Sequence, residues 1–366
     1  MAWKASQGRV GLKQGERLWT TMAGTTPNNA PITKVLRTPE SCFDIELPGW
    51  NWGKPSYFVS KLFNVEIRIA YWDLGSKSSG ETMLLCHGEP SWSYLYRRMI
   101  GPLIKQGYRV VLFDQVGFGW SDKPSKPSDY TYERHVAWNE DLIFNHLDLR
   151  NITIFLQDWG GIQGLRMVAR SPSKFYRLVI SNTIFPTCNV GFEGENYISD
   201  GFYNWKKMVN AGLLSKPGGV GRLMGRATAG PNGVISEAEQ AAYQAPFPDE
   251  AYMAGAIQYP ELVPTPPKDP TGRPQPNGGQ TNLELWPVLE NWHKPVLLAF
   301  GDNDIVLGGS AYLFEQKCPG VKKSIILKGV GHFSQDSGGK ELVKEMIELV
   351  EMYPLLPATK KMMSKL

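Results

Sequence analysis

The chain has 366 residues, with 39 Lys plus Arg against 35 Asp plus Glu, a net charge of +4 and a pI near 8.7. Residues 1–34 hold five cations and one anion, so the whole excess sits there and the remaining body carries 34 charges of each sign. A neutral body argues against the one-signed face of nucleic-acid or anionic-membrane binding, and no apolar run approaches the roughly 18 residues of a membrane span.

Residues 1–34 lack apolar periodicity and end in the turn-rich TTPNNAP, as expected of a flexible arm. Its basic, acid-poor composition suits an organelle presequence and equally an exposed tail without an address. No secretory apolar segment follows Met1, and Cys42, Cys86, Cys188 and Cys318 are widely spaced without a C-x-x-C pair. Reduced thiols, a cytoplasmic location and no metal site are therefore expected. From about residue 62, strand-like runs (VEIRIAYW, TMLLC, YRVVLF, NITIFLQ, RLVIS) alternate with helical segments (SWSYLYRRMIGPLIK, TYERHVAWNEDLIFNHL, GIQGLRMVAR). Near-continuous apolar strands separated by helices imply an α/β protein whose mostly parallel central sheet is flanked by helices. Between about 184 and 292 the alternation stops. Helical runs around DGFYNWKKMVNAGLL and SEAEQAAYQA precede PELVPTPPKDPTGRPQPNGGQ, which is too rich in Pro and Gly for a helix or a central strand. Strands resume with PVLLAFG and KKSIIL, and the amphipathic KELVKEMIELVEMY follows. The predicted organisation is a flexible basic arm over 1–34, a core over 35–183 and 293–366, and an inserted helical cap over 184–292. The cap is expected above the C-terminal edge of the sheet, where open α/β sheets bind ligands.

Strand NITIFLQ runs into Asp158-Trp159-Gly160-Gly161 and then a helix. A reactive residue at such a corner is the nucleophile elbow of the α/β-hydrolase fold, with Asp158 standing where Ser is usual. Gly160 and Gly161 supply the small neighbours the turn needs, whereas Leu156 replaces the glycine usual two residues before the nucleophile, and no G-x-S-x-G occurs. The competing reading is that Asp158 caps the helix beginning at Gly160. Asp302-Asn303-Asp304 follows PVLLAFG, and His332 follows KKSIIL, which is the acid-then-base order of this fold. Asp304, deeper in its loop, is favoured over Asp302, which suits an Asx-type turn. His87-Gly88-Glu89-Pro90 follows TMLLC, and a turn there sets the amides of Glu89 and Trp159 opposite each other as an oxyanion hole. His87 is expected to hold that loop, and Asp114, also after a strand, is the runner-up for nucleophile.

Together these pieces resemble the haloalkane dehalogenases of the α/β-hydrolase fold. HGEPSWSYLYRRMI, DQVGFGWSDKP, LDLRNITIFLQDWGG, DGFYNWK, AYQAPFPD, GDNDIVLG and GVGHF occur in the family's order and span residues from about 36 to 350. The resemblance implies that Asp158 attacks the halogen-bearing carbon, and that His332, oriented by Asp304, activates the water that hydrolyses the alkyl ester. No cofactor is implied. The halide is implied to lie between indole N–H donors of Trp159 and, because a Glu89 carboxylate cannot donate, of the lid residue Trp205, with Phe202 lining the same pocket. The implied partners are a small apolar halogenated substrate, water and halide, handled by a monomer. Two rivals stay open. One is an epoxide hydrolase with the same nucleophile and a tyrosine pair drawn from Tyr197, Tyr203, Tyr243 and Tyr252; the other is an inactive hydrolase-fold binding protein.

Overall fold

A computed structural model describes residues 30–187, 189, 198–228, 235–265 and 278–355. Most of the basic arm, the middle of the Pro-rich segment, Cys188 and Tyr197 lie outside the described residues. The strands in chain order are β1 (Val35–Leu36), β2 (Ser56–Ser60), β3 (Ile67–Leu74), β4 (Thr82–Cys86), β5 (Arg109–Phe113), β6 (Lys123–Pro124), β7 (Ile152–Gln157), β8 (Phe175–Ser181), β9 (Val296–Gly301) and β10 (Val321–Leu327). Eight of them form one sheet in the order β10-β9-β8-β7-β4-β5-β3-β2, parallel from β10 to β5 and antiparallel beyond, while β1 and β6 pair separately.

Burial explains which strands were legible. Every residue of β4, β7 and β9 is buried, so those strands read as unbroken apolar runs. The edge strand β2, SYFVS, has no such run and was not anticipated; the other edge, β10, alternates exposed and half-buried residues. Consecutive strands β4 and β5 lie side by side, and the chain then crosses to the opposite side of β4 to place β7. The loops leaving β4 and β7 therefore open next to each other at the C-terminal edge, the switch point of such a sheet.

The core helices are α1 (Arg97–Lys105), α2 (Tyr132–Glu140) and α3 (Asp158–Arg170). Five more, α4 (Asp200–Asn210), α5 (Gly219–Ala227), α6 (Glu237–Gln244), α7 (Ala254–Leu262) and α8 (Gly278–Glu290), come between β8 and β9, and α9 (Ala311–Lys317), α10 (Ser334–Ser337) and α11 (Gly339–Met352) follow. Ser236 opens α6 with a reciprocal cap, its hydroxyl accepting from the Glu239 N–H and its own N–H donating to the Glu239 carboxylate. Pro260 stands inside α7 and Gly278 and Gly279 start α8, so both ends of the Pro-rich segment are helical where a helix was not expected. Pro260 lies near the end of α7, where its missing N–H costs only one helical bond.

A buried ion triad ties the inserted helices to the core. Arg97 Nη2 on α1 lies 2.6 Å from both Glu239 Oε1 on α6 and Asp336 Oδ1 on α10. Residues 30–34, assigned from sequence to the end of the arm, also lie against the body. Ile32 is buried, and the Ala30 carbonyl accepts from Arg134 Nη2 at 2.6 Å. Among the described residues no helix is long and apolar enough to cross a membrane.

Candidate active site

Strand β7 ends by delivering Asp158 at φ +49°, a left-handed conformation that a non-glycine residue adopts only when its surroundings compel it. Those surroundings are specific: the Asp158 N–H donates to the Asn182 carbonyl at 2.9 Å, and Thr183 Oγ1 donates to the Asp158 carbonyl at 2.7 Å. Helix α3 begins at Asp158 itself, and the carboxylate is turned away from a capping role. Its Oδ1 accepts the Glu89 N–H at 2.8 Å, and its Oδ2 lies 3.4 Å from His332 Nε2. Trp159, second in the helix, has an N–H without an intrahelical acceptor, so the loop after β4 and the start of α3 each present one backbone donor at this corner.

Close approach explains the glycines and the unusual Leu156. A Cβ on Gly160 would sit 1.9 Å from the Cys86 carbonyl oxygen, so only glycine lets α3 press against the end of β4 and bring Glu89 to Asp158. A Cβ on Gly164 would sit 2.2 Å from Leu156 Cδ2, so the room usually provided by glycine on the strand is provided here from the helix. Gly160→Ala is expected to destabilise the protein by about 1–3 kcal/mol, because backbone must move to admit the methyl group. Urea unfolding checks this, and an unchanged midpoint would mean the contact is not tight.

His332 Nδ1 lies 3.0 Å from Asp304 Oδ2, and Asp304 Oδ1 accepts the N–H groups of Val306 and Leu307 at 2.8 and 3.1 Å. Asp302 does not approach His332; it accepts the Gly329 N–H of the loop after β10 at 2.6 Å, a bond between loops and not an Asx-type turn. Asp158, His332 and Asp304 thus form one hydrogen-bonded line across the ends of β7, β10 and β9. Asp114 is elsewhere, buried and accepting the N–H groups of Ser93 and Trp120 at 2.8 Å each. His87 accepts the Gln115 N–H through Nε2 at 2.9 Å and bonds the Gly88 carbonyl through Nδ1 at 3.0 Å, and burial lowers its pKa to about 4. It holds the loop as a neutral ring.

A cavity of about 710 Å³ opens above this line between the sheet edge and the inserted helices. Asp158, Trp159, Glu89 and His332 line its base, with Phe202, Trp205 and Met208 of α4, Leu223 of α5 and Val263 after α7 along its walls. The Trp159 ring is held edge-on by Tyr132 and Tyr259, with centroids 5.7 and 4.7 Å away.

Residues 81–339 match the family model of the α/β-hydrolase fold. The chain is 39% identical to a haloalkane dehalogenase of Psychrobacter cryohalolentis over 88% of this chain and 99% of that one. It is 37% identical to a haloalkane dehalogenase of Mycolicibacterium paratuberculosis over 86% and 97% of the two chains. The chain belongs to the haloalkane dehalogenase family. A solved member, the tetrameric haloalkane dehalogenase of Paraglaciecola agarilytica, superimposes with a TM-score of 0.75 at 32% identity, covering 88% of this chain and all of that one.

Within this dehalogenase-family site, burial alone would lower the His332 pKa, but the flanking carboxylates Asp304 and Asp158 outweigh it and raise it to about 10. Asp304 stays below the ordinary carboxylate range: burial opposes this, but the His332 charge and the two loop N–H groups prevail. Glu89 behaves oppositely. Burial first, then the charge of Asp158, pushes its carboxyl well above the usual value, and its Oε1 has no hydrogen-bond partner. The His332 charge and the Trp205 hydrogen bond pull the other way without prevailing. The Trp205 side chain hydrogen-bonds to that acid, so Trp205 faces the base of the cavity.

Several contributors were not anticipated from sequence. Asn182 donates to the Gly331 and His332 carbonyls at 2.9 and 3.0 Å and accepts the Gly301 N–H at 2.9 Å, fastening the His332 loop to the ends of β8 and β9. Gln157 adds a 3.1 Å bond to the His332 carbonyl. A polar residue at the C-terminal end of a buried strand is the signal that both carry.

Proposed function

We propose that this chain hydrolyses haloalkanes to alcohol and halide through an alkyl ester on Asp158. The observation that carries the reading is the line Asp158–His332–Asp304 at the base of a largely apolar cavity walled by Trp159 and Trp205. Asp158 Oδ1 is held by the Glu89 N–H, which leaves Oδ2 to displace halide in line from the bound carbon. Trp159 and Trp205 receive the halide through indole N–H groups, the Trp205 N–H exchanging its Glu89 acceptor for the halide, and neither donor holds a proton the halide can remove. In the second half, His332 takes a proton from water that attacks Asp158 Cγ. Oδ1 becomes the oxyanion beside the amides of Glu89 and Trp159, and Asp304 steadies the imidazolium. Phe202 shapes the space beside the carbon.

The inserted segment 184–292 acts in this reading as a cap on a core of 35–183 and 293–366. Every named residue comes from one polypeptide, so a monomer suffices for the chemistry. An epoxide hydrolase needs a hydroxyl to protonate the opening ring. Among the described residues no tyrosine lines the cavity: the Tyr243 hydroxyl donates to Asp336, and that of Tyr259 is shared between Gln115 and His135.

Bromide release from 1-bromobutane, run beside hydrolysis of styrene oxide, tests the reading. Bromide release is expected; turnover of the epoxide alone would contradict it, and silence on both would favour a binding protein. Trp205→Phe is expected to slow carbon–halogen cleavage by about 10²-fold, the scale of losing one such donor, and to weaken halide quenching of tryptophan fluorescence. An unaltered single-turnover rate would make Trp205 a packing residue.

A further inference from the structure

The cavity changes character along its length. Its acidic lining residues, Glu89, Asp158 and Asp304, are all at the base, while Lys216, Arg222 and Arg226 line it from the turn before α5 and from α5 itself. These three cations are exposed, so they stand at the opening. Among the described residues no carboxylate pairs with any of them. The Arg222 guanidinium donates only to the Pro217 carbonyl, at 2.6 Å. Arg222 and Arg226 are one turn apart on the helix face that also carries Leu223, and like charges at that spacing disfavour the helix. A face that keeps such a pair beside an apolar cavity, with no neutralising acid among the described residues, is suited to an anion supplied from outside.

We propose that the cavity mouth is a subsite for a carboxylate carried by the substrate, so that the favoured substrate is an ω-halogenated alkyl chain ending in a carboxylate. This rests on the reading of Asp158 as the nucleophile of a dehalogenase. Charge orients such a molecule. The base holds the carboxylates of Asp158 and Asp304 around one imidazolium and repels a second anion, whereas the mouth attracts it, so the halogen end is directed inward. The chain between them lies along Leu223, Met208 and Val263. The carboxylate remains at the water-exposed opening, where the planar fork of a guanidinium takes it by paired hydrogen bonds without full dehydration.

The test is bromide release by the full chain from ω-bromocarboxylates of increasing length and from the matched ω-bromoalcohols, at low and high sodium sulfate, a salt without a competing halide. At one chain length the carboxylate should give the higher kcat/KM. The ratio of carboxylate to alcohol should fall about tenfold in the double variant Arg222→Gln/Arg226→Gln, taking about threefold for each exposed pair. High salt should compress the ratio in the unmodified protein more than in the variant, through KM. A ratio indifferent to both changes overturns the subsite, and an equal slowing of both substrates assigns the cations to halide departure instead. No bromide from any of these compounds or from 1-bromobutane overturns the dehalogenase reading itself, which separates that failure from failure of the mouth.

Discussion

His332→Gln is expected to trap the reaction halfway. After exposure to 1-bromobutane the intact mass should rise by one butyl group, while steady-state bromide release falls by about 10²–10⁴-fold, the usual contribution of a positioned general base. The asymmetry follows from the geometry. Displacement needs the Asp158 carboxylate and halide donors, none of which the substitution removes, whereas hydrolysis needs a base beside Asp158, and His332 Nε2, 3.4 Å from Oδ2, is the one available. Glutamine keeps a side chain of similar reach next to Asp304. A variant that loses activity yet never gains mass would place His332 in the first step, and the assignment of roles would be wrong.

Asp158→Asn should abolish both halves, lowering turnover by roughly 10⁶-fold, as removal of the nucleophile does in serine hydrolases, with no mass increase on exposure to substrate. Asparagine is nearly isosteric and still accepts the Glu89 N–H, so the corner should keep its shape. The substitution also removes one of the two carboxylates that raise His332. A histidine whose folded pKa is near 10, against an ordinary 6.5, contributes stability that is complete below about pH 6.5 and is lost as the pH rises through 10. The fall in melting temperature between those pH values should therefore be smaller in Asp158→Asn than in the unmodified protein. Equal falls would show that Asp158 does not hold the His332 proton. Ester formation removes the same charge as the Asn substitution, so alkylation of Asp158 lowers the His332 pKa when the ester needs a base, while Asp304 continues to raise it.

The parts of the fold that sequence made visible are those where burial leaves little choice. The all-buried strands β4, β7 and β9 announced themselves as apolar runs, and the carboxylate and histidine in the loops after β9 and β10 stood out because the flanking runs were clear. Edge strand β2 was invisible because SYFVS, with two of its five residues exposed, carries no apolar run. Pro260 misled because a proline near a helix end costs one bond, not the helix. Asn182 was missed because its side chain works on three distant backbone groups, the Gly331 and His332 carbonyls and the Gly301 N–H, which no local pattern records. The upward shift of the Glu89 carboxyl comes from its burial and from Asp158 beside it, and only the folded arrangement brings those together. Leu156 looked like a defect in the elbow until Gly164, eight residues later, proved to supply the space.

The covalent role of Asp158 is tested most directly by a single turnover of the unmodified protein in ¹⁸O-water, with enzyme in excess over 1-bromobutane. Water attack on the ester at Asp158 Cγ predicts unlabelled butanol and one ¹⁸O in the peptide containing Asp158. Labelled butanol with an unlabelled peptide would mean that water displaces bromide directly, and would contradict the covalent mechanism.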